Sequence, residues 1–279
     1  MTGWKRKGEW LEHPAGTQLD VPPKLLHKLR QHGGMMEKPG KVLLRLFPEE
    51  PLHCMPHYMQ LEVLFEDDFC LIAYKPAGMK VHPTLPGETD TLDNAVAFHY
   101  ESTGQVCKVR HIHRLDEDTT GPVLYAKNEW AQLLLDRDMR EKSISRAYAA
   151  IVHGRLRKKK DTIDAPIGKD RHHASRRRVS PTGEPAVTHY EVAEQYQDAA
   201  IVRLRLSTGR THQIRVHMSY LGHPLLGDEL YGGKPLGIQR QALHGESLSF
   251  SHPFTQELII VEAPWPDDMA QLASNLQKL

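Results

Sequence analysis

A chain of 279 residues with 36 Lys and Arg against 35 Asp and Glu carries a net charge of +1; it is long enough for one large domain or two smaller ones and is no polycation. Its longest apolar runs, such as Leu133-Leu134-Leu135, fall far short of a membrane span, and the polar start at Trp4-Lys5-Arg6-Lys7 has no apolar run behind it, so neither a membrane anchor nor a signal peptide is expected. Three widely spaced cysteines, Cys54, Cys70 and Cys107, argue against a disulfide framework or a zinc ribbon and for reduced thiols in the cytoplasm.

Residues 1–60 are set apart by their prolines and glycines. Within them, Pro22 to His32 has helical spacing: Leu25, Leu26 and Leu29 recur with Lys24, Lys28 and Arg30 interleaved, and Gly33-Gly34 is the stop. Lys41 to Phe47 reads as a strand closed by Pro48. Two readings fit this region, a small helix-and-strand module with a basic face or a loosely packed extension. From Leu61 the pattern sharpens. Val63 and Phe65 alternate with Glu62 and Glu66, Asp67-Asp68 make a turn, and Phe69 to Tyr74 is nearly all apolar, which predicts a hairpin with a buried second strand. Leu92 to Tyr100 reads as a helix with Leu92, Val96 and His99 on one face.

The stretch from His113 through Arg114, Leu115 and Asp116 to Gly121 lies between two runs of alternation. Val109, His111 and His113 share one side of the first, and Val123 and Tyr125 one side of the second. Both runs are expected to be strands, with Asp116 in the loop between them. An ordinary turn explains the loop as well as an aimed carboxylate does, since Asp, Thr and Gly are common turn residues. Asn128 is a fitting cap for a helix with the buried stripe Ala131, Leu134, Leu135 and Met139. Ser145 to Val152 reads as a strand carrying Tyr148; by itself, a strand tyrosine is most simply a core residue with a satisfied hydroxyl.

Between Gly154 and Thr188 ten Lys and Arg face four acidic residues, a local charge of +6. Arg176-Arg177-Arg178, flanked by small and polar residues, reads as an exposed loop. A charge run is commonly only a solvated face, yet this asymmetry suits phosphate contacts, each of which adds salt-sensitive affinity. Val202, Leu204 and Leu206 alternate with Arg203 and Arg205 in a half-buried strand. A helix is expected from about Thr211, with Ile214, Met218 and Leu221 as its stripe. Arg215 lies beside that stripe, and a part-buried arginine needs an anionic partner. Arg210 and Thr211 sit where a helix start could hold a phosphate. Gly227 to Gly233 is Gly-rich but lacks the spacing of a nucleotide loop. Leu243 to Ser249 and Glu257 to Glu262 are expected as the last strands, and Ala270 to Leu279 as a closing helix.

No metal is specified: there is no H-E-x-x-H, no EF-hand loop and no cysteine pair, and His111 with His113 lacks a third ligand. With no G-x-S-x-G, a hydrolase serine is unsupported. What remains is a loop carboxylate, a strand tyrosine and a helix arginine in want of an anion. The three can form one site, with Asp116 ionised, paired with Arg215 and closed over by Tyr148, able to act as nucleophile or base without a cofactor. A glycosidase would need a second acid opposite Asp116, and Glu117 and Asp118 would splay apart in the loop. A non-catalytic RNA chaperone would have no use for a buried carboxylate where phosphate is to sit.

His113-Arg114-Leu115-Asp116, followed by Thr119-Thr120-Gly121, resembles the signature of the RluA-type family of RNA pseudouridine synthases. Arg146-Ala147-Tyr148 is similar to that family's basic-x-Tyr motif, and Gly209-Arg210-Thr211-His212-Gln213-Ile214-Arg215-Val216-His217 to its third. Lys75-Pro76-Ala77-Gly78, Gly222-His223-Pro224 with Gly227-Asp228, and Ser251-His252-Pro253-Phe254 keep the family's order, across about residues 61–265. Thr120 stands where the family usually has Ser, and Arg146 where it usually has Lys. The resemblance implies an α+β fold with a mixed, mostly antiparallel central sheet, flanked by helices and crossed by a cleft. It implies isomerisation of a uridine in RNA to pseudouridine with no metal and no organic cofactor; ribosomal RNA is favoured as substrate and transfer RNA remains open. Carried over by position, Asp116 is the catalytic aspartate, Tyr148 stacks on the target base, Arg215 pairs with Asp116, and Arg114 fills the space the flipped base leaves. Arg210 and His212, with Arg176, Arg177 and Arg178, are the expected RNA contacts. Residues 61–279 are then the catalytic domain. Residues 1–60 are an extension with the outline of a degenerate S4-type RNA-binding module, in which Met35-Met36 replace the usual Val-Asn-Gly turn. A cytoplasmic monomer is expected.

Overall fold

The computed structural model describes residues 4–16 and 20–276. Its first elements are Lys5–Lys7 (β1), Trp10–Pro14 (β2), helix Pro23–Gln31 (α1), Met35–Lys38 (β3) and Lys41–Arg45 (β4). The strands pair antiparallel in the order β1-β2-β4-β3. Pro23 opens α1, where its missing N–H costs nothing, and Leu25 and Leu29, one turn apart, are the residues the helix buries. The sheet around α1 is not legible in the sequence: β1 is wholly exposed and β3 nearly so, so neither carries a period-two apolar pattern. Leu11, Leu25, Leu29 and Leu44 share a core with Phe69, Trp130 and Phe254, and Trp130 Nε1 donates to the Asp20 carbonyl at 2.8 Å.

Glu62–Glu66 (β5), Cys70–Lys75 (β6) and, after helix Leu92–Ser102 (α2), Gly121–Ala126 (β7) form a second antiparallel sheet in the order β5-β6-β7. Both faces of β6 and β7 are covered, and alternation divides them. Leu71, Ala73, Val123 and Tyr125 pack with Leu92, Val96 and Tyr100 of α2. Cys70, Ile72, Leu124 and Ala126 pack with Trp130, Leu134 and Leu135 of helix Glu129–Glu141 (α3). Asn128 caps α3 by accepting the Ala131 N–H at 2.8 Å, as its position suggests.

Beyond α3 come Ser145–His153 (β8), Lys160–Asp164 (β9), Ile167–Lys169 (β10), Arg177–Val179 (β11), Val187–Gln195 (β12), Ala199–Leu206 (β13), helix Gln213–Tyr220 (α4), Leu243–Ser251 (β14), Leu258–Glu262 (β15) and helix Asp267–Leu276 (α5). Six of these strands make the largest sheet, ordered β15-β14-β8-β13-β12-β9 with antiparallel neighbours, while β10 and β11 form a separate hairpin. The three-stranded and six-stranded sheets meet at a parallel bridge between Thr120 and His244. There Gly121, at φ +133°, passes so close to Gly245 that a Cβ would lie 2.7 Å from the Gly245 carbonyl oxygen. The result is the mixed, mostly antiparallel α+β architecture that the motifs imply.

Five expectations are corrected. Val109 to His113 is not a strand but makes a single bridge, His111 to Tyr125. Ile112 N–H does reach the Leu124 carbonyl at 2.8 Å, but the Leu124 N–H is taken by the imidazole of His113 (Nε2, 3.3 Å), and the ladder stops there. Arg177 and Arg178 belong to β11, with only Arg176 of the triplet in the loop. Helix α4 starts at Gln213 rather than Thr211, because His212 takes the left-handed conformation at φ +58°. Leu221, expected in its apolar stripe, is the exposed residue that caps it. The closing helix begins at Asp267, and residues 277–279 of the expected span lie outside the described residues. The three cysteines are free, and among the described residues no helix is long and apolar enough to cross a membrane.

Candidate active site

A cleft of about 620 Å³ opens where the loop before β7 faces β8, the end of β13 and the start of α4. Asp116, Tyr148 and Arg215 all line it, as do Arg114, Arg210 and His212. The arginines 176–178 do not; they sit on the β10–β11 hairpin, outside the lining.

The Asp116 loop is fixed almost atom by atom from below. Lys75, at the end of β6, is fully buried and donates to three carbonyls, those of Pro76 (2.8 Å), Met79 (2.7 Å) and Glu117 (2.6 Å). Burial pushes its pKa down to about 7 against the pull of the Asp118 and Asp116 charges. Arg240 donates to the Asp118 carbonyl at 3.0 Å while Asp268 of α5 grips its other edge. Gln241 reaches the Thr119 hydroxyl at 3.3 Å, and the Thr120 hydroxyl lies 2.7 Å from His244 Nδ1. Because His244 Nε2 faces the Ala263 carbonyl (3.1 Å) and must donate, Thr120 donates to Nδ1. That bond needs a hydroxyl and nothing more, so Thr serves where the motif usually has Ser. His113, buried beneath the loop, has its pKa lowered to about 3 by desolvation and stays neutral.

The side chain of Asp116 is 26% exposed and accepts one hydrogen bond, from Arg215 Nη1 at 3.3 Å. This is the expected pair, but it is the weaker of two. Arg215 holds Asp228 through Nε (2.7 Å) and Nη2 (2.8 Å), a bidentate grip on a carboxylate only 1% exposed. Burial opposes the charge on Arg215, and Asp228 more than compensates, so its pKa stands above the ordinary value. Asp228 is therefore the main anionic partner of the part-buried arginine, and Asp116 keeps oxygen lone pairs free toward the cleft. Gly227, at φ +73°, makes the placement possible: a Cβ there would sit 2.0 Å from the Arg240 carbonyl oxygen. Asp228, Arg240 and Gln241 hold the candidate site together and were left without a role by sequence reasoning. The unmet need of Arg215 for an anion was the one available signal for Asp228.

Tyr148 is nearly buried in β8, paired across the sheet with Leu204 and Gly245. Burial first, and the Asp116 charge with it, raise its phenol pKa against the opposing influence of Arg146, so it is a neutral ring on the cleft wall. Arg114 is exposed, and its guanidinium makes no ion pair among the described residues. Arg210 is committed elsewhere, ion-paired with Glu184 and donating to the Pro185 carbonyl at 3.1 Å. The loop that carries it is braced by Gln213, whose side-chain oxygen accepts from Thr208 (2.8 Å) and from the Arg210 N–H (3.0 Å). His212 has burial lowering its pKa and lies 2.8 Å from the Tyr231 hydroxyl.

Among the described residues one group could hold a metal ion, Asp67, Cys70 and His252, outside the cleft. Its atoms are already used: His252 Nε2 pairs with Asp67 Oδ2 at 2.7 Å, and its Nδ1 accepts the Phe254 and Thr255 N–H groups. The Asp67 Oδ1 accepts those of Phe69 and Cys70. This is a structural clasp between the β5–β6 turn and the end of β14.

Residues 69–220 match the family model for RNA pseudouridylate synthases. An uncharacterised RNA pseudouridine synthase of Bacillus subtilis is 45% identical over 282 residues, covering 96% of this chain and 93% of its own length. The ribosomal large subunit pseudouridine synthase D of Vibrio vulnificus is 41% identical over 275 residues, covering 90% of this chain and 83% of its own. Among solved structures, the human RNA pseudouridylate synthase domain containing 1 superposes with a TM-score of 0.63 at 25% identity, covering 79% of this chain and 96% of that one.

Proposed function

Because the chain belongs to the RNA pseudouridylate synthase family, and is thus an isomerase of uridine in RNA, we propose that Asp116 is the carboxylate that opens the glycosidic bond, with Arg215 and Tyr148 as its partners. The observation that carries this reading is the position of Asp116: a rigidly held loop, one arginine bond, and free oxygen lone pairs facing a cleft beside a neutral tyrosine ring. The reaction breaks N1–C1′ and joins C5 to C1′; the C5 proton leaves and N1 gains one, so neither an oxidant nor a reductant enters. Asp116 acts at the sugar as nucleophile or base. Tyr148 gives the freed base a face to stack on while it turns. Arg215 keeps the carboxylate charged and aimed, and is itself anchored by Asp228.

The target must leave its stack to reach the cleft, at a cost of about a few kcal/mol. Arg114, exposed and without an ion pair, is placed to occupy the vacated space. The arginines of the β10–β11 hairpin and Arg210 supply phosphate contacts, Arg210 by exchanging Glu184 for a phosphate. Ribosomal RNA is the favoured substrate, since a relative covering 90% of this chain is named for the large ribosomal subunit. Residues 1–60 act as a small RNA-docking module fused to the catalytic domain, and the enzyme works as a cytoplasmic monomer. Pseudouridine mapping of total RNA from cells lacking the gene, beside their parent, tests the activity and the substrate together: a site lost only in the deletion names the target, and an unchanged map overturns the reading.

A further inference from the structure

Tyr231 is outside the cleft lining, yet it touches three working parts of the site. Its hydroxyl accepts the backbone N–H of Arg177 in β11 at 2.9 Å and lies 2.8 Å from His212 Nδ1. Its ring faces the guanidinium of Arg215 at 5.0 Å and that of Arg176 at 5.6 Å. It also ends the short helical turn that follows Asp228, with its N–H on the Asp228 carbonyl at 3.0 Å. One buried residue thus joins the basic hairpin, the start of α4 and the Arg215–Asp228 pair.

A phenol carries one hydrogen. With the Arg177 N–H on the oxygen, His212 Nδ1 is, among the described residues, the acceptor within reach of the phenol hydrogen. That nitrogen is then an acceptor, and the neutral ring carries its proton on Nε2. Nε2 has no partner among the described residues, and His212 lines the cleft beside Asp116. The backbone of His212 sits in the left-handed region at φ +58°, uncommon for a residue with a Cβ though more readily reached by His than by most. The Arg177 N–H uses only the oxygen as acceptor, and the imidazole that can take the buried phenol hydrogen stands on the cleft wall.

We propose that Tyr231 is a positioning residue that presents His212 to the cleft as an Nε2–H donor, for an oxygen of the bound nucleotide, and ties RNA docking on the hairpin to the placement of Arg215. This rests on the reading of the cleft as the uridine site. Two variants separate the two ends of Tyr231. Tyr231→Phe keeps the ring beside Arg215 and removes the hydroxyl: KM for RNA rises about tenfold while kcat falls by less than about threefold, the loss of a hydrogen bond acting on binding. Tyr231→Leu removes the ring as well, and kcat then falls by more than about tenfold, in the manner of a displaced catalytic group. Nitrogen-15 spectra of the histidines, with the His212 signals identified by their loss in His212→Asn, show in the RNA-free wild type an unprotonated Nδ1 and a protonated Nε2, and in Tyr231→Phe a mixture of tautomers. A protonated Nδ1 in the wild type overturns the proposal, as does a Tyr231→Phe enzyme with unchanged KM, or one whose kcat and KM effects merely follow a lowered melting temperature. The tautomer measurement needs no RNA, whereas an Asp116→Asn enzyme that still forms pseudouridine would remove the underlying reading and leave the tautomer result standing.

Discussion

Arg215 holds Asp228 with two hydrogen bonds, of 2.7 and 2.8 Å, and Asp116 with one of 3.3 Å. The tight pair is the anchor, and on the proposed reading the loose one is left for chemistry. Asp228 is sealed from solvent, so it cannot be rehydrated if its partner is lost. Asp228→Ala leaves a buried guanidinium half unpaired and costs about 3–5 kcal/mol of folding stability. Urea unfolding measures it. Arg215→Lys keeps the charge but cannot bridge two carboxylates with a planar fork, and its kcat falls at least about a hundredfold.

Lys75 gives the enzyme a dependence on alkaline pH with a definite sign. Its pKa is about 7 in the folded chain and 10.5 without burial. Between those values the unfolded chain holds the extra proton, so stability rises with pH across that window, by at most about 1.4 kcal/mol per pH unit. Lys75→Met lacks that rise, and the Glu117 carbonyl beside Asp116 loses its donor. Denaturation curves at pH 7, 8 and 9, wild type beside variant, read the difference in slope.

On the acid side, His113 acts in the same sense. Its folded pKa of about 3 lies below the 6.5 of a free imidazole. The unfolded chain therefore takes up the proton first, and stability falls as pH drops from 6.5 toward 3, by at most about 1.4 kcal/mol per pH unit for this group. Burial lowers His217 and His244 as well, which adds to the loss. His113→Gln, which keeps an acceptor for the Leu124 N–H, shows a shallower fall between pH 6.5 and 4.

Helix α1 is built into the core, and truncating its side chains is expected to unsettle the whole molecule. Leu25 and Leu29 of α1 lie in one cluster with Phe69 and Trp130. Leu25→Ala costs about 2–5 kcal/mol, seen as a lower melting temperature, while kcat at saturating RNA stays within about twofold of the wild type below the transition.

How much of this was legible beforehand depended on how local the signal was. Asp116, Tyr148 and Arg215 stand in contiguous motifs, and the structure brings all three to one cleft. The β5–β6 hairpin, α2 and α3 announced themselves by apolar spacing and caps. Asp228 did not, because nothing near it in sequence says which distant arginine it will meet. Strands β9 to β11 are short and charged, and β1 and β3 present no buried face, so their pairing partners carry the information. The false strand at Val109 to His113 has the right alternation; a side chain, the His113 imidazole, occupies the backbone bond that would have extended it.

The central claim is that one carboxylate, Asp116, does the chemistry. Joining C5 to the sugar expels the C5 hydrogen, so ribosomal RNA from cells lacking the gene, tritiated at uridine C5, reports each turnover as released tritium. Asp116→Asn is expected to bind that RNA within a few-fold of wild-type affinity and to release tritium at least about a thousandfold more slowly. Release by Asp116→Asn at a rate near that of the wild type would contradict the account.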